Sequence, residues 1–343
     1  MQQLVLLNPG SLALRNVDPP QAGPGEVVIK IQAALTCGTD LKTYRRGHPK
    51  FPMPTPFGHE FSGDVWEVGS GVTRFQKGQA VLVAPTAPCG ECPHCRRGFG
   101  NLCDYTMRTM MHGAFAEYIR VPAHIVAQNM FPKPESLSYM EGAVLEPLSC
   151  VVYGGQHLPL DSRDTVVIIG AGPIGLLHLM LARLRGAGRI IMVGRRKMRL
   201  ATARRLGADV VVDEASEDVL ARVHHLTDGR GADVVIECAG HPQVWEKSIA
   251  MARRGGHVML FGGCASGSKF RLPMERMLMD GLTVKGVFHF TPEAVRESYQ
   301  LLSSGALQVS ELITGIHPLS EFRRIFETLS NGEAIKLGIR PGF

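Results

Sequence analysis

A length of 343 residues predicts about two domains, and a composition with 45% hydrophobic and 20% charged residues is typical of a soluble globular protein. The formal net charge of +6 is spread along the chain and accompanies no nucleic-acid-binding motif, so we expect no nucleic-acid partner. No apolar run reaches the about 18 residues that a membrane span requires, and the N-terminal residues lack the features of a signal peptide. We therefore expect a cytoplasmic protein with no membrane partner.

The first part of the chain, up to about residue 150, contains short β-type runs separated by glycine and proline. Runs this short, with dense turn signals, predict an antiparallel sheet or a barrel. The clearest runs cover residues 26–31, 61–68, 80–83 and 116–121.

From about residue 152 the pattern changes to strands that alternate with helices, which predicts parallel βαβ units. The predicted strands cover residues 166–169, 190–193, 210–212, 233–236, 257–261 and 282–287. The predicted helices cover residues 174–185, 197–206, 219–226 and 242–252.

The tail begins with a predicted helix at 292–303 and then returns to short mixed elements. We expect this tail to pack on the first domain. The predicted organisation is therefore one domain of residues 1–151 and 291–343, with a βα domain of residues 152–290 inserted into it.

A glycine-rich turn, GAGPIG, lies between the first strand and the first helix of the βα region. The residues expected to bind a cofactor there are Gly170, Gly172, Pro173, Ile174 and Gly175. The glycines let the backbone approach a pyrophosphate, which the positive end of the helix dipole stabilises. A GxGxxG pattern alone is weak, but the strand, the helix and the following repeats all fit a dinucleotide site. The alternative is a turn that binds no ligand.

The residues after the second strand of this region indicate which dinucleotide binds. An NAD site normally carries Asp or Glu about 20 residues past the glycines, where it accepts from the ribose 2′-hydroxyl. This chain has Gly194, Arg195 and Arg196 instead. Glycine leaves room for a 2′-phosphate, and arginine can bind one with several donors. We therefore expect NADP(H) to be preferred over NAD(H); the alternative is that the arginines only cover the first turn of a helix.

Four cysteines at short spacing predict a metal site in a lobe of about residues 85–107. Cys89, Cys92, Cys95 and Cys103 can supply four thiolates to one tetrahedral zinc ion. The alternative is an iron–sulfur cluster, but the bacterial ferredoxin spacing has its fourth cysteine after three residues, whereas seven separate Cys95 from Cys103. A site closed by four sulfurs has no open position, so we expect a structural zinc.

A second set of donors combines sulfur, imidazole and carboxylate. Cys37 follows a predicted strand, and His59 and Glu60 follow Pro-Phe-Gly. Glu146 lies in an apolar stretch, where an unpaired carboxylate would be costly. These donor types together suit zinc with an open fourth position. Taken singly, the same residues could be a buried thiol, a core histidine and surface acids.

Together these motifs resemble those of the zinc-containing medium-chain dehydrogenases, a family that includes alcohol, sorbitol and threonine dehydrogenases. The resemblance covers essentially the whole chain and rests on CGTD at 37–40, GHE at 58–60, the four cysteines, EPL at 146–148 and GAGPIG at 170–175. It implies an α/β architecture, in which a GroES-like β-barrel catalytic domain accompanies a Rossmann domain with a doubly wound parallel sheet. It also implies one catalytic and one structural zinc ion per subunit and a homo-oligomer, either a dimer or a tetramer.

The resemblance implies roles for individual residues. Cys37, His59 and Glu146 would be the catalytic zinc ligands, and Glu60 would act beside the metal. A glutamate as third ligand is similar to the sorbitol dehydrogenases, whereas the alcohol dehydrogenases have cysteine there. Thr39 matches the hydroxyl that accepts the alcohol proton.

One position of the chain departs from the family pattern in the proton relay. Many members have a histidine three residues after the threonine, where this chain has Lys42. A lysine could relay protons if burial favoured its neutral form. The alternatives are that Lys42 is an ordinary surface residue and that His48 replaces the missing histidine.

The substrate end departs as well. Sorbitol dehydrogenases carry Arg-Tyr where this chain has His289 and Phe290, and a tyrosine where it has Thr43. Hydrogen-bond partners for a polyhydroxylated substrate are therefore missing. The expected substrates then include a diol, a smaller sugar alcohol and a more apolar alcohol. We expect hydride transfer between NADP(H) and a secondary alcohol, diol or polyol, or the matching ketone. The alternatives are a zinc-independent NADPH enzyme of the quinone reductase type and a nucleotide-sensing zinc protein without activity.

Overall fold

The computed structural model describes residues 1–47 and 51–342. They form two compact units. The first unit consists of Met1–Ser149 together with Phe290–Phe343, and the second consists of Cys150–His289. The chain therefore leaves the first unit once and returns to it.

The N-terminal part of the first unit is dominated by short strands. These are β1 (Gln2–Asn8), β2 (Ser11–Asn16), β3 (Val27–Leu35), β4 (Thr55–Pro56), β5 (Glu60–Val68), β6 (Ala80–Val83), β7 (Tyr118–Val121) and β8 (Met130–Pro132). The helices between and after them are α1 (Gly38–Arg46), α2 (Pro93–Arg96), α3 (Asp104–Arg108), α4 (Ala123–Gln128), α5 (Tyr139–Gly142) and α6 (Leu145–Gly155), with a 3-10 turn at Gly100–Leu102.

In the second unit strands and helices alternate. The strands are β9 (Thr165–Ile169), β10 (Arg189–Gly194), β11 (Val210–Asp213), β12 (Ala232–Glu237), β13 (Ala252–Leu260) and β14 (Thr283–Gly286). The helices are α7 (Pro173–Leu184), α8 (Lys197–Arg205), α9 (Val219–Leu226), α10 (Pro242–Met251) and α11 (Met274–Leu278).

The returning tail adds two helices and two strands to the first unit. They are α12 (Pro292–Ser303), β15 (Ile313–Pro318), α13 (Phe322–Asn331) and β16 (Lys336–Arg340), with 3-10 turns at Val309–Leu312 and Leu319–Glu321.

The main sheet of the first unit has the strand order β15-β16-β3-β5-β6-β8, and β7 also pairs with β3. All pairs are antiparallel except β15 with β16. Strand β3 has several partners because it is long: its first half pairs with β7, and its last two residues pair with β16. Leu35, at the end of β3, lies opposite Glu60, the first residue of β5. This register brings the end of β3 and the starts of β5 and β16 to one end of the sheet.

The second unit contains one parallel sheet, with the order β11-β10-β9-β12-β13-β14. Strands β9 and β10 are buried along nearly their whole length, which explains their continuous apolar runs. The predicted doubly wound parallel sheet is confirmed. The strand order reverses beside β9, and ligands of such sheets bind outside the carboxyl ends of the strands at this point.

Strand β13 is longer than the sequence predicts. The expected strand covered 257–261, but β13 follows α10 directly and spans Ala252–Leu260. The predicted start was late because Arg253–Gly256 has the polar and glycine-rich composition of a loop. Ala252 pairs with β12, and from His257 onward the strand pairs with β12 and β14, so both ends of that stretch belong to one strand with an irregular register between them.

Candidate active site

Three side chains of the types that can bind a metal converge at the end of β3. The ligand atoms of Cys37, His59 and Glu60 all lie within 4.8 Å of one another. Cys37 is the cap residue of α1, two residues after the end of β3, while Glu60 is the first residue of β5 and His59 precedes it. The cluster therefore follows from the antiparallel register of these two strands.

Asp40 contacts two residues of the cluster, Cys37 and His59, and helps to fix their positions. Its Oδ2 accepts from the backbone N–H of Cys37 at 3.0 Å, and its Oδ1 lies 3.2 Å from Nδ1 of His59. Burial disfavours the charged imidazole, but the Asp40 carboxylate outweighs it and raises the pKa of His59 well above its usual value. With Nδ1 held by a carboxylate, Nε2 is the ring nitrogen left for a metal.

Glu60 is fully buried, and only one of its two carboxylate oxygens accepts a hydrogen bond from the described residues. One carboxylate oxygen, Oε2, accepts from Nζ of Lys336, while Oε1 has no hydrogen-bond partner among the described residues. Burial raises the pKa of Glu60 to about 7 against the opposing charge of Lys336, and the nearby Glu146 carboxylate adds to the rise. Such an orphaned carboxylate oxygen beside sulfur and imidazole fits the donor set of a zinc site.

Lys336 is the cation of this buried region. Its side chain is 1% exposed, and Nζ also donates to the carbonyl oxygen of Thr36 at 2.8 Å. Burial opposes its charge, but the Glu60 carboxylate prevails and the pKa of Lys336 is raised. A charged lysine therefore forms an ion pair with the Glu60 carboxylate.

Glu146, the third ligand implied by the resemblance, is the second residue of α6 and is buried. It is close enough for its charge to raise the pKa values of Glu60 and Lys336. The carboxylate whose ligand atom lies within 4.8 Å of those of both Cys37 and His59 is that of Glu60, and Glu146 is not in this group. The structure thus brings all four predicted donors into one region, with Glu60 grouped with Cys37 and His59.

The predicted relay residues lie on α1. Thr39 and Lys42 are both exposed, so the burial on which a lysine relay depends is absent at Lys42. His48 lies outside the described residues. Thr43, a predicted substrate residue, is buried at 1% exposure. Of the other two substrate residues, His289 is partly exposed with a φ of 61°, and Phe290 is buried.

The four-cysteine lobe is compact and local. The Sγ atoms lie 3.4 Å apart for Cys92 and Cys95, 3.6 Å for Cys89 and Cys103, and 3.9 Å for Cys89 and Cys95. Tetrahedral zinc with Zn–S distances of about 2.3 Å would place its sulfurs about 3.8 Å apart. These separations therefore fit a zinc ion, and all four thiols are free of disulfides.

Hydrogen bonding makes the four thiols unequal. Burial and the neighbouring Cys92 raise the pKa of Cys95 to about 12. At Cys103 backbone donors outweigh burial and lower the pKa to about 6. Closely packed thiols cannot all ionise without a cation, which is the requirement that zinc would meet.

The glycine-rich turn connects β9 to α7 at the point where the strand order reverses. Gly170 has a φ of 105°, and a Cβ at Gly175 would lie 2.0 Å from the carbonyl oxygen of Gly170, so both positions require glycine. Pro173 begins the helix after the cap residue Gly172, and Ile174 follows. At Gly172 a Cβ would meet only Nη1 of Arg199, at 3.9 Å. The helix N-terminus therefore has room for a phosphate next to a guanidinium.

The residues predicted to select the dinucleotide follow β10. Arg195 and Arg196 are exposed, and Nε of Arg195 donates to the carboxylate of Glu214. Gly194 has a packing reason besides the predicted space for phosphate, because a Cβ there would lie 2.8 Å from that of Ala171.

Sequence reasoning missed three charged residues around these sites: Asp40, Lys336 and Glu214. Asp40 was visible in the CGTD motif, three residues after the cap residue. Lys336 had a signal too, because it is a lone lysine in the apolar run Ala-Ile-Lys-Leu-Gly-Ile. Glu214 had none, since its importance depends on the neighbour that the sheet supplies.

Among the described residues, no helix is both long and apolar enough to cross a membrane.

Comparison with known proteins identifies the class. Residues 23–133 match the alcohol dehydrogenase GroES-like domain, and residues 173–304 match the zinc-binding dehydrogenase domain. The chain is 30% identical to sorbitol dehydrogenase of Bacillus subtilis (strain 168), over 99% of this chain and 97% of that protein. It is 33% identical to L-threonine 3-dehydrogenase of Bacillus licheniformis, over 94% of this chain and 93% of that protein.

A solved structure shows the same fold. A zinc-binding dehydrogenase from Sinorhizobium meliloti 1021, bound to NADP, superimposes with a TM-score of 0.90 at 32% identity and covers 99% of both chains. The chain therefore belongs to the zinc-containing medium-chain dehydrogenase family. The predicted fold class is confirmed, and so is the prediction of a zinc-dependent enzyme of the alcohol dehydrogenase type.

Proposed function

We propose that this enzyme transfers a hydride between NADP(H) and a secondary alcohol, diol or polyol, or the matching ketone. The observation that carries the proposal is the cluster of Cys37, His59 and Glu60, whose ligand atoms lie within 4.8 Å of one another around an unpartnered carboxylate oxygen. Cys37, His59 and Glu146 are the proposed catalytic zinc ligands, with Glu60 beside the metal. Bound zinc supplies a Lewis acid that lowers the pKa of an alcohol.

The surrounding residues prepare this site. Asp40 holds the imidazole of His59 in one orientation, which favours binding through Nε2. Lys336 balances the charge of Glu60 and fixes one of its oxygens, so that the other stays directed away from the ion pair. Glu60 is thereby held with one oxygen that could serve a bound zinc ion.

Thr39 is the proposed acceptor of the alcohol proton. It lies two residues after Cys37, and its backbone N–H donates to the Sγ of that cysteine at 3.3 Å. The same turn of α1 therefore carries a metal donor and a hydroxyl. Lys42, one turn further along the helix, is exposed and lacks the burial that a lysine relay requires, so the proton is proposed to pass from Thr39 to solvent.

Cys89, Cys92, Cys95 and Cys103 are proposed to hold a second, structural zinc ion. Their sulfur separations support this assignment, because four thiolates close the coordination shell.

The second unit is proposed to bind the dinucleotide, within a domain of residues 152–290, while 1–151 and 291–343 form the catalytic domain. Gly170, Gly172 and Gly175 would receive the pyrophosphate at the N-terminus of α7. The nicotinamide accepts or returns the hydride. Arg195 and Arg196 would favour NADP(H), and the NADP-bound relative supports this preference.

The substrate class follows from the relatives and from the departures. One relative is a sorbitol dehydrogenase and another a threonine dehydrogenase, so polyhydroxylated and amino-alcohol substrates are both represented. Thr43, His289 and Phe290 are the proposed determinants of the substrate, with buried Thr43 acting through packing rather than by exposed contact. We also propose a cytoplasmic homo-oligomer, either a dimer or a tetramer.

An assay on purified, zinc-analysed protein tests the proposal. NADP⁺ and NAD⁺ are offered with secondary alcohols, diols, pentitols, hexitols and L-threonine. Turnover that a chelator abolishes, with about two zinc ions per chain, is the expected result. Turnover that survives zinc removal would favour the quinone reductase type, and dinucleotide binding without turnover on the whole panel would favour a sensor.

A further inference from the structure

A carboxylate from a neighbouring strand lies beside the end of β10, which has no acidic residue of its own. The strand that precedes Arg195 ends at Gly194 without an acidic residue. The neighbouring strand β11 ends at Asp213, which lies opposite Gly194, and the next residue is Glu214. The backbone N–H of Glu214 donates to the carbonyl oxygen of Gly194 at 3.0 Å. Parallel pairing therefore places an acid from β11 at the same edge of the sheet as the arginine that follows β10.

The two side chains form an ion pair. The guanidinium Nε of Arg195 donates to Oε1 of Glu214. The Arg195 side chain is 72% exposed, whereas that of Glu214 is only 24% exposed. The carboxylate is thus the better anchored member, and the arginine can turn towards solvent or a ligand while the carboxylate stays in place.

The pair lines a cavity of about 240 Å³ at the carboxyl ends of the strands. Ile169 and Val193, from the ends of β9 and β10, make an apolar floor, while Arg195, Glu214, His241 and Lys247 contribute polar groups. An apolar floor with a charged rim suits a flat heteroaromatic ring whose attached ribose points to the rim. Around the rim two cations face one carboxylate, so a phosphate is attracted by the cations and repelled by Glu214.

We propose that Glu214 is a cofactor-specificity residue that competes with the 2′-phosphate of NADP for Arg195. For NADP to bind tightly, Arg195 must leave Glu214, and the phosphate must approach a carboxylate of like charge. For NAD, the same carboxylate can accept the ribose 2′-hydroxyl, the role that an acid after the second strand usually has. Arg195, Arg196 and Lys247 therefore favour NADP(H), and Glu214 reduces that preference because it opposes the 2′-phosphate and can accept from the ribose of NAD. This inference rests on the proposed binding of a nicotinamide dinucleotide to the second unit.

The test compares dissociation constants of NADPH and NADH for the zinc-loaded enzyme, from the fluorescence of the bound dihydronicotinamide. In Glu214→Gln the carboxylate charge is gone, so NADPH should bind about tenfold more tightly and NADH more weakly. In Lys247→Gln only NADPH should weaken. Asp228→Asn is the matched control, because Asp228 pairs with Arg230 elsewhere on this unit and its change alters the net charge equally.

A double-mutant cycle of Glu214→Gln with Arg195→Gln measures the competition directly. The gain in NADPH affinity should be smaller when Arg195 is already absent, since no arginine is left to release and only the repulsion between Glu214 and the phosphate is relieved. Unchanged dissociation constants in Glu214→Gln, or equal weakening of both dinucleotides, would overturn the specificity role while leaving dinucleotide binding intact. If the wild-type enzyme binds neither dinucleotide, the proposed function itself is wrong. If both bind and no substrate turns over, the specificity role stands and only the assigned reaction fails.

Discussion

The two donor clusters of the first unit are built in opposite ways. The four-cysteine lobe takes all its donors from residues 89–103 and presents three of them, Cys89, Cys92 and Cys95, partly exposed. The cluster around Cys37 draws on three strands, and its ion pair joins residues 276 positions apart. One site is therefore a property of a short segment, whereas the other is a property of the folded sheet.

The difference shows what each cluster contributes. Four thiols need a cation to ionise together, so metal and local folding in the lobe are coupled. In the Cys37 cluster the charges are already balanced by protein groups, through Asp40 with His59 and Lys336 with Glu60. We therefore expect the lobe zinc to govern stability and the Cys37 cluster to govern turnover.

Cys37→Ser should give the largest effect on activity. Serine is a poor zinc ligand, and a Lewis acid contributes several kcal/mol to such a reaction, so kcat/KM should fall by about 1,000-fold or more. Zinc analysis should show that one ion is lost, while the melting temperature changes little. Cys264→Ser, which removes a thiol outside both donor clusters, is the control. Activity retained in Cys37→Ser would exclude this cysteine as a catalytic ligand.

Cys103→Ser should give the largest effect on stability. Cys103 is the buried member of the lobe, and loss of a structural zinc removes folding free energy directly. A fall in melting temperature of about 10 °C is expected, measured by calorimetry on protein of known zinc content. The fraction that still carries catalytic zinc should keep its kcat at low temperature. A loss of turnover with an unchanged melting temperature would reverse the roles of the two clusters.

Lys336→Met tests the claim that protein groups balance the buried charge. It leaves the Glu60 carboxylate buried without its cation, which should destabilise the enzyme by about 3–5 kcal/mol. Urea denaturation measures this loss. The double variant Glu60→Gln with Lys336→Met should recover much of it, because no carboxylate is then left uncompensated. Equal losses in the single and double variants would mean that Lys336 acts by packing alone.

The same contrast explains how much could be predicted from the sequence. The lobe was predictable because Cys89 to Cys103 is one short segment with a spacing typical of zinc. The doubly wound sheet was predictable because its strands are continuous apolar runs between amphipathic helices. The pairing of Glu60 with Lys336, and of Arg195 with Glu214, was not, since each depends on which strands become neighbours. The proximity of Glu60 to Cys37 and His59 could be predicted only in part, because the motifs contain these residues but do not show the register in which β3 pairs with β5.

His178 extends the comparison to an ionisable group that, within the described part of the chain, pairs with no carboxylate. It lies buried in α7 against the ring of Phe261, and its Nε2 has no hydrogen-bond partner among residues 1–47 and 51–342. Burial, with a smaller contribution from the charge of Arg185, lowers its pKa from 6.5 to about 3. In contrast to His59, where a carboxylate overcomes burial, this imidazole should stay neutral in the folded protein.

The lowered pKa determines the sign of the pH dependence. Below pH 6.5 the unfolded chain binds a proton at His178 that the folded chain does not, so stability falls as the pH decreases towards 3. The contribution of this residue is at most about 1.4 kcal/mol per pH unit. His178→Leu should therefore lose less stability than the wild type between pH 7.5 and 5.5 in urea denaturation. Since both proteins keep the same zinc ligands, any loss of zinc cancels in the difference. His225→Gln, at an exposed position on α9, should follow the wild type. If the stability of His178→Leu changed with pH as that of the wild type does, the imidazole of His178 would have to bind its proton in the folded protein. Burial alone would then not keep a histidine neutral in this core.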